Sequence, residues 1–486
     1  MQLKDLLNRV SILNIVGSTN IDVFTICFDS RDIKNKSLFI AIRGLVADGH
    51  KYIKDAIKNG SIAIIVEQIP NNLVVGITYV QVHKSNIALG IIASNFYSNP
   101  AKKIKLIGVT GTNGKTTIVN LLYQLFTLLG NRVGMISTIE NRVIDRVFPS
   151  THTTPDPLQI NYLLNAMVEK GCEYCFMEVS SHALDQARVY GINFAGGIFT
   201  NLSQDHLDYH NTFSEYRDVK KTFFDSLCKD AFALANKDDK NALKMLESSK
   251  AKKFYYSLKS FSDYRCKVIE NQFEGMLLKI NNIDVWVKLI GEFNAYNILS
   301  VYSVANQFGF KDSDVFIALS MLNPVEGRFE VVKNDSGITG VVDYAHTDDA
   351  LKNVLKTINS IRKNAASLIT IVGCGGDRDK SKRSLMTKAA CDLSTQVIVT
   401  SDNPRSENPE DIINDMIYGL NSKQSNKVLA ITDRRQAIMA AGKMANKNDV
   451  ILLAGKGHEK YQEIKGKKIL FDDMKELKRS LNIILK

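Results

Sequence analysis

Proline is scarce, with 8 residues in a chain of 486, and tryptophan occurs once. So little proline excludes a collagen-like or proline-rich disordered chain. No apolar run approaches the roughly 20 residues that cross a bilayer, so no membrane insertion is expected. The opening residues Met1-Gln2-Leu3-Lys4-Asp5 carry charge where a signal peptide places its apolar core. The expected compartment is therefore the cytoplasm. Seven cysteines in a chain of this length make no disulfide framework. Cys172 and Cys175 have the spacing of a redox or zinc pair. They lie in the segment 171–179, which reads as a strand, whereas a redox pair needs a helix start. They are expected to be small strand residues.

What is present suits a folded protein. Hydrophobic residues make up 45% of the chain, enough for buried cores, and at about 150 residues per domain the length suggests three domains. The net charge is +11. Such a balance can serve nucleic acid, a membrane surface or an anionic small substrate. The lysines are scattered, often beside acids, with no basic stripe, so a nucleic-acid partner is not expected.

The first hundred residues mix short strands (Leu38 to Ile42, Ala63 to Val66) with a helical stretch near Ile53 to Lys58. Asn99-Pro100-Ala101-Lys102-Lys103 reads as a linker. A second boundary falls near 325–335, before the turn Asn334-Asp335-Ser336-Gly337. The expected domains are thus 1–100, 101–332 and 333–486. In the last, the runs Leu368 to Val372, Gln396 to Thr400 and Val450 to Leu453 read as buried parallel strands. Each is followed by a polar or glycine-rich loop. Ligands in open α/β sheets bind at the carboxyl ends of strands, so three such loops could line one crevice.

The strongest motif is Gly108-Val109-Thr110-Gly111-Thr112-Asn113-Gly114-Lys115-Thr116-Thr117. It follows a strand from Ile104 and precedes a helix with apolar residues at i, i+3, i+4 spacing, ending before Gly130. This is the context of a phosphate-binding loop. Backbone N–H groups of Gly111, Thr112, Asn113 and Gly114 would cradle phosphates, Lys115 would neutralise them, and Thr116 would ligate Mg²⁺. The register is a variant, since Val109 stands where the usual pattern has glycine. Asn236-Lys237-Asp238-Asp239 resembles a guanine-reading motif, but no D-x-x-G switch lies between 118 and 235. Glu178 and His206 each follow a strand and could hold metal beside the phosphates, or be hydrogen-bonded loop residues. His206 and His210 are four apart and could share a helix face, yet H-E-x-x-H is absent.

Together these segments resemble the Mur ligase family over nearly the whole chain. The resemblance rests on Gly111 to Thr117, Glu178-Val179-Ser180-Ser181-His182, Asn201-Leu202-Ser203-Gln204-Asp205-His206-Leu207-Asp208 and the turn Asn236-Lys237-Asp238-Asp239. Gly291 to Asn297, Gly327-Arg328-Phe329-Glu330 and Asp343-Tyr344-Ala345-His346-Thr347 extend it, with Asp348 where the family usually has proline. It implies three α/β domains: an N-terminal UDP-binding domain, a central P-loop ATPase-like domain and a C-terminal Rossmann-like domain.

The implied reaction is an ATP-dependent amide ligation in peptidoglycan precursor synthesis. Lys115, Glu178, His206 and Lys220 would be catalytic. Residues 111–117 with Asn294, Arg328 and Asp343 would bind ATP. Thr116, Glu178, His206 and Lys220 would hold Mg²⁺, the last as a carbamate formed from CO₂. Lys220 is implied rather than Lys221 because Tyr216 and Phe224 flank it at the family spacing. Phe28, Ser30, Leu45, Val46 and Ala47 would meet the UDP-sugar. Thr153, Thr154, Ser180, Gln186 and Arg188 would hold the muramoyl dipeptide.

The C-terminal run Asp402-Asn403-Pro404-Arg405, with Arg383, Gly455 and Glu459, implies meso-2,6-diaminopimelate as the amino acid. Arg405 can grip the distal carboxylate with two parallel hydrogen bonds, and would repel the ammonium that L-lysine places there. The alternatives are the same ligation with L-lysine, or a folylpolyglutamate synthase-like ligase. A monomer working on small molecules is expected.

Overall fold

The computed structural model describes residues 1–44, 47–206 and 209–482. Among these, three α/β sheets follow one another along the chain, joined by short connections.

The first sheet has the spatial order Ile12–Val16, Thr78–Val82, Ser61–Val66, Ser37–Ile40, Thr25–Cys27. Only its first pair is antiparallel. Its strand centres are continuous apolar runs, the pattern of a sheet covered on both faces. The helix Ser85–Phe96 packs on one face, burying Ala88, Leu89 and Ile92 with Leu38, Ile40 and Ile65.

The central sheet is built around Lys105–Thr110, whose two neighbours are Tyr174–Glu178 and Gly196–Phe199, all parallel. The chain first winds to one side through the helix Lys115–Leu128 and the strand Val133–Ile136. It then crosses to Gly196–Phe199 and Phe232–Asn236 on the other side. Lys105–Thr110 thus lies at the point where the winding reverses, where α/β sheets open a crevice. Antiparallel strands extend both edges, Glu140–Val143 with Arg146–Pro149 and the meander Tyr264–Val287. Cys175 and Cys172 are buried free thiols, Cys175 within a central strand, in accord with a packing role.

The third sheet runs Glu330–Lys333, Thr339–Asp343, Val450–Ala454, Leu368–Val372, Gln396–Val399, Val428–Ala430. All pairs but the first are parallel. The carboxyl ends of four strands therefore open on one edge, carrying Asp343, Gly455, Gly373 and the loop to Asp402. A hairpin, Tyr461–Ile464 with Lys467–Leu470, leans over this edge. Among the described residues, no helix is long and apolar enough to cross a membrane.

Candidate active site

The phosphate loop forms because the chain must turn sharply between Thr110 and Lys115. Gly111 has φ +148°, and a Cβ there would stand 1.9 Å from the Thr200 hydroxyl. Only glycine permits this approach of the loop to the neighbouring strand end. The loop is then pinned from that strand: Thr112 N donates to Asn201 O at 2.9 Å, and Asn113 N to Asn201 Oδ1 at 3.0 Å. Gly114 opens the helix Lys115–Leu128, so the first-turn N–H groups face the crevice. Lys115 Nζ folds back onto Gly111 O at 2.9 Å and Thr112 O at 2.8 Å. Gly108, the glycine out of register, belongs to the strand: a Cβ there would meet the Phe223 ring at 2.5 Å.

Thr116 and Glu178 meet beside this loop. The Thr116 hydroxyl donates to Glu178 Oε2 at 3.0 Å, and Glu178 Oε1 accepts from Thr138 N at 2.7 Å. Glu178 is fully buried. Adjacent oxygens around an octahedral Mg²⁺ stand about 3 Å apart, so these two hard donors fit one such ion with phosphate oxygens. Among the described residues, no three His, Cys, Asp or Glu side chains form a metal-holding group. His206 is close enough to the loop to feel the charges of Lys115 and Lys220. Its ring lies edge-on to His182, 4.9 Å between centroids, and 3.4 Å from Asp205 Oδ2. Burial pushes its pKa down to about 3, against the pull of Asp205, so the imidazole is neutral. His206 has φ +55° and its carbonyl accepts from His210 N at 2.9 Å; Leu207 and Asp208, between them, lie outside the described residues.

Lys220 projects from the helix Phe213–Asp225, capped by the Thr212 side chain. It is 1% exposed, and its Nζ donates to Gly111 O at 3.1 Å. Burial drives its pKa well below the ordinary lysine range, aided by the Lys115 charge and opposed by Asp205. Lys221 instead pairs with Asp225 at 2.8 Å on the outer side.

A cavity of about 770 Å³ separates the central and third sheets. Asn113, Gly114 and Thr117 line it on one side, Arg328, Asp343, Tyr344 and Asp349 on the other. The volume is that of a drug-sized ligand site. Arg328 reaches across: Nη2 donates to Thr116 Oγ1 at 3.2 Å, while the guanidinium lies 4.4 Å over the Tyr344 ring. Burial raises the Asp343 pKa, and its carboxylate accepts from Phe329 N at 2.7 Å and Ala345 N at 2.8 Å. Asp343 therefore fixes the turn that aims Arg328. Asn294 turns inward, donating to Ile290 O at 2.8 Å and accepting from Asn297 at 2.9 Å. Asn297, which the sequence reading did not single out, lines the cavity.

Asn236 to Asp239 is a structural turn. Asp238 accepts from Ser257, Ser260 and Tyr296 hydroxyls, and Asp239 from Leu202 N at 2.7 Å. These contacts hold the turn, which also lines the cavity.

The dipeptide candidates form one network. Thr154 Oγ1 donates to Glu178 O at 2.8 Å and Ser180 N donates to Thr154 Oγ1 at 3.0 Å. Thr153 accepts from Thr138 at 3.1 Å. Arg188 donates to Thr154 O at 2.8 Å and twice to Gln186 Oε1. Tyr209 and Asp185 complete it: Gln186 donates to Tyr209 OH at 3.2 Å, which donates to Asp185 at 2.6 Å. In the first sheet, Phe28 is 38% exposed and Ser30 half-buried, on the segment after Thr25–Cys27. Ala47 O accepts from Gly44 N at 2.9 Å. Leu45 and Val46 lie outside the described residues.

On the third sheet, the loops at Asp402, Arg405, Gly455 and Glu459 converge. Arg405 has φ +50°, and its Nη1 donates to Gly376 O at 2.7 Å. Its backbone is stitched to the hairpin, Arg405 N to Glu463 O at 3.0 Å and Lys465 N to Arg405 O at 2.7 Å. Asn403 Nδ2 donates to Glu459 Oε2 at 2.8 Å, Pro404 is buried beside it, and Gly455 N donates to Asp343 O at 3.1 Å. Lys456, absent from the expected set, has its ammonium fully buried among Asp402, Asn403 and Glu459. Arg383 departs from expectation. Its guanidinium is 1% exposed and committed to Glu407, at 2.8 and 3.0 Å, and to Asp415 at 2.8 Å. Through Nη1 and Nη2 it braces the loop bearing Arg405, while its Nε is buried with no hydrogen-bond partner.

Three comparisons bear on this arrangement. The chain matches the Mur ligase family, catalytic domain, over residues 23–98, the Mur ligase middle domain over 109–305, and the Mur ligase, glutamate ligase domain, over 327–457. It is 51% identical to a UDP-N-acetylmuramoyl-L-alanyl-D-glutamate–2,6-diaminopimelate ligase of Bacteroides thetaiotaomicron, over 99% of this chain and 100% of that protein. A protein of the same name from Cytophaga hutchinsonii is 49% identical, with 100% of both chains covered. A solved structure carrying that name superposes with a TM-score of 0.70 at 32% identity, covering 99% of each chain.

Proposed function

The chain belongs to the Mur ligase family, and we propose that it joins meso-2,6-diaminopimelate to the D-glutamate carboxylate of UDP-MurNAc-L-Ala-D-Glu, using ATP. The observation that carries the reading is the meeting of two sets of loops at facing strand ends. The phosphate loop stands on one side of the cavity, and the Asp402 to Arg405 and Gly455 to Glu459 loops stand at the same sheet edge as Asp343 and Arg328 on the other.

Residues 1–100 take the UDP end, 101–332 the ATP and dipeptide, and 333–486 the amino acid. The N–H groups of 111–114 and Lys115 hold the ATP phosphates. Thr116 and Glu178 hold Mg²⁺, with Lys220, as a carbamate, a further oxygen donor near Gly111. When bound, Mg²⁺ neutralises phosphate charge. Arg328 adds positive charge at the same point, where it counts most in a water-poor site.

The dipeptide carboxylate, held by the Thr154–Arg188 network, attacks the γ-phosphorus and ADP leaves. The acyl phosphate is then attacked by the diaminopimelate amine. The amine loses a proton, phosphate departs, and an amide remains. The enzyme's contribution is mainly placement of three ligands. Arg405 favours diaminopimelate because its planar fork matches a carboxylate and repels the lysine ammonium. The Asp402 to Arg405 loop and the substrate domain at 1–100 weigh against a folylpolyglutamate synthase-like activity. The protein works as a cytoplasmic monomer in this reading.

The test is ADP release by the purified chain. It requires UDP-MurNAc-L-Ala-D-Glu and meso-diaminopimelate together. Equal turnover with L-lysine contradicts the amino-acid assignment.

A further inference from the structure

The amino-acid loops hold a charge arrangement that the reaction scheme does not use. Lys456 is fully buried, yet carries three donors in a pocket with two carboxylates. Its Nζ lies 3.2 Å from Asp402 Oδ1, 3.1 Å from Asn403 Oδ1 and 3.4 Å from Glu459 Oε2. Three N–H bonds meet three acceptors, and no donor remains for a ligand.

Asn403 is oriented by this contact. Its oxygen takes the Lys456 ammonium and Glu463 N at 2.9 Å, so its NH₂ must face Glu459 Oε2, at 2.8 Å. Glu459 then has its other oxygen for a ligand. The charges sum to one negative: Asp402 and Glu459 against Lys456. That single excess suits one ammonium. Removal of Lys456 would leave two buried carboxylates without a counter-ion, and one would take up a proton.

We propose that Lys456 is a positioning residue for amino-acid selection: it neutralises Asp402 and keeps Glu459 ionised and aimed, so that the site accepts the distal ammonium of diaminopimelate. The inference rests on the ligase reading above. Glu459 is the group whose charge is at stake. Burial raises its pKa, as does Asp402, while Lys456 and Asn403 lower it. Arg434 and Tyr344 are its other charged or titratable neighbours, and Arg434 is tied to Asp473 at 2.6 and 2.8 Å. Lys456 is therefore the cation in direct contact with Glu459, at 3.4 Å.

The experiment compares meso-diaminopimelate with 2-aminopimelate, which keeps the reacting amine and distal carboxylate but lacks the distal amine. In Lys456→Met, KM for diaminopimelate should rise about tenfold or more, as for loss of a charge-assisted hydrogen bond, while KM for 2-aminopimelate stays near the wild-type value. The diaminopimelate KM of the variant should fall as pH rises, because Glu459 regains its charge. Adding Asp402→Asn, which restores one net negative charge, should recover much of the loss. Lys456→Gln carries the same expectation if the methionine variant does not fold. Equal rises for both amino acids, or no rise, would overturn the proposal, since a packing role affects both alike. Wild-type protein inactive with diaminopimelate would overturn the ligase reading itself, and this inference with it.

Discussion

Arg328 Nη2 donates to the Thr116 hydroxyl at 3.2 Å, joining residues 212 positions apart. This contact bridges the phosphate loop and the start of the third sheet. It ties the position of the Arg328 guanidinium to that of the phosphate loop. Arg328→Met should lower kcat about a hundredfold, the scale of a lost charge-stabilising donor, with little change in melting temperature. Steady-state kinetics check this, and an unchanged kcat would remove Arg328 from the reaction.

Lys220 offers a buried, proton-poor amine beside the Gly111 carbonyl. A neutral amine adds CO₂ and releases one proton, giving a carbamate. Protein equilibrated with ¹³C-bicarbonate should show a carbamate resonance that Lys220→Ala lacks. That variant should lose most activity and regain part of it with added short carboxylates. A carbamate persisting in Lys220→Ala would move the assignment elsewhere.

Arg405 is held in a left-handed backbone conformation by the hairpin at Glu463 and Lys465. Arg405→Ala should raise KM for diaminopimelate about tenfold or more and leave KM for ATP alone. Arg405→Lys should recover little, since an ammonium cannot make the paired bonds. Equal shifts in both KM values would point to a folding defect.

Arg383 predicts a pH signature. Its hydrogen bonds lower the Glu407 pKa from 4.5 to about 2. A lowered carboxylate pKa contributes stability above pH 4.5 and loses it as pH falls towards 2. Because solvent reaches both carboxylate partners and screens the pairs, Arg383→Met should cost about 1 kcal/mol near neutral pH, and the difference from wild type should shrink in acid. Denaturant melts at several pH values check this. A pH-independent difference would mean that packing alone is at work.

The phosphate loop was legible because glycine, lysine and threonine act there through local spacing and a helix start. So were the strands Leu368–Val372 and Val450–Ala454, whose apolar runs match burial on both faces. The ion pairs of Arg383 were not legible, because its partners Glu407 and Asp415 lie 24 and 32 residues away, beyond any local pattern. Lys456 was assigned no role, because no local pattern shows that tertiary packing buries its ammonium. The Asn236 to Asp239 turn shows the same limit: its carboxylates serve Ser257, Ser260, Tyr296 and Leu202, contacts that only the fold reveals.

The most direct test is the mass of the product formed from UDP-MurNAc-L-Ala-D-Glu, ATP and an equimolar mixture of meso-diaminopimelate and L-lysine. The account predicts a nucleotide-sugar peptide heavier by one diaminopimelyl residue, with ADP and phosphate released in equal amount. A product heavier by one lysyl residue, or no new peptide, would contradict it.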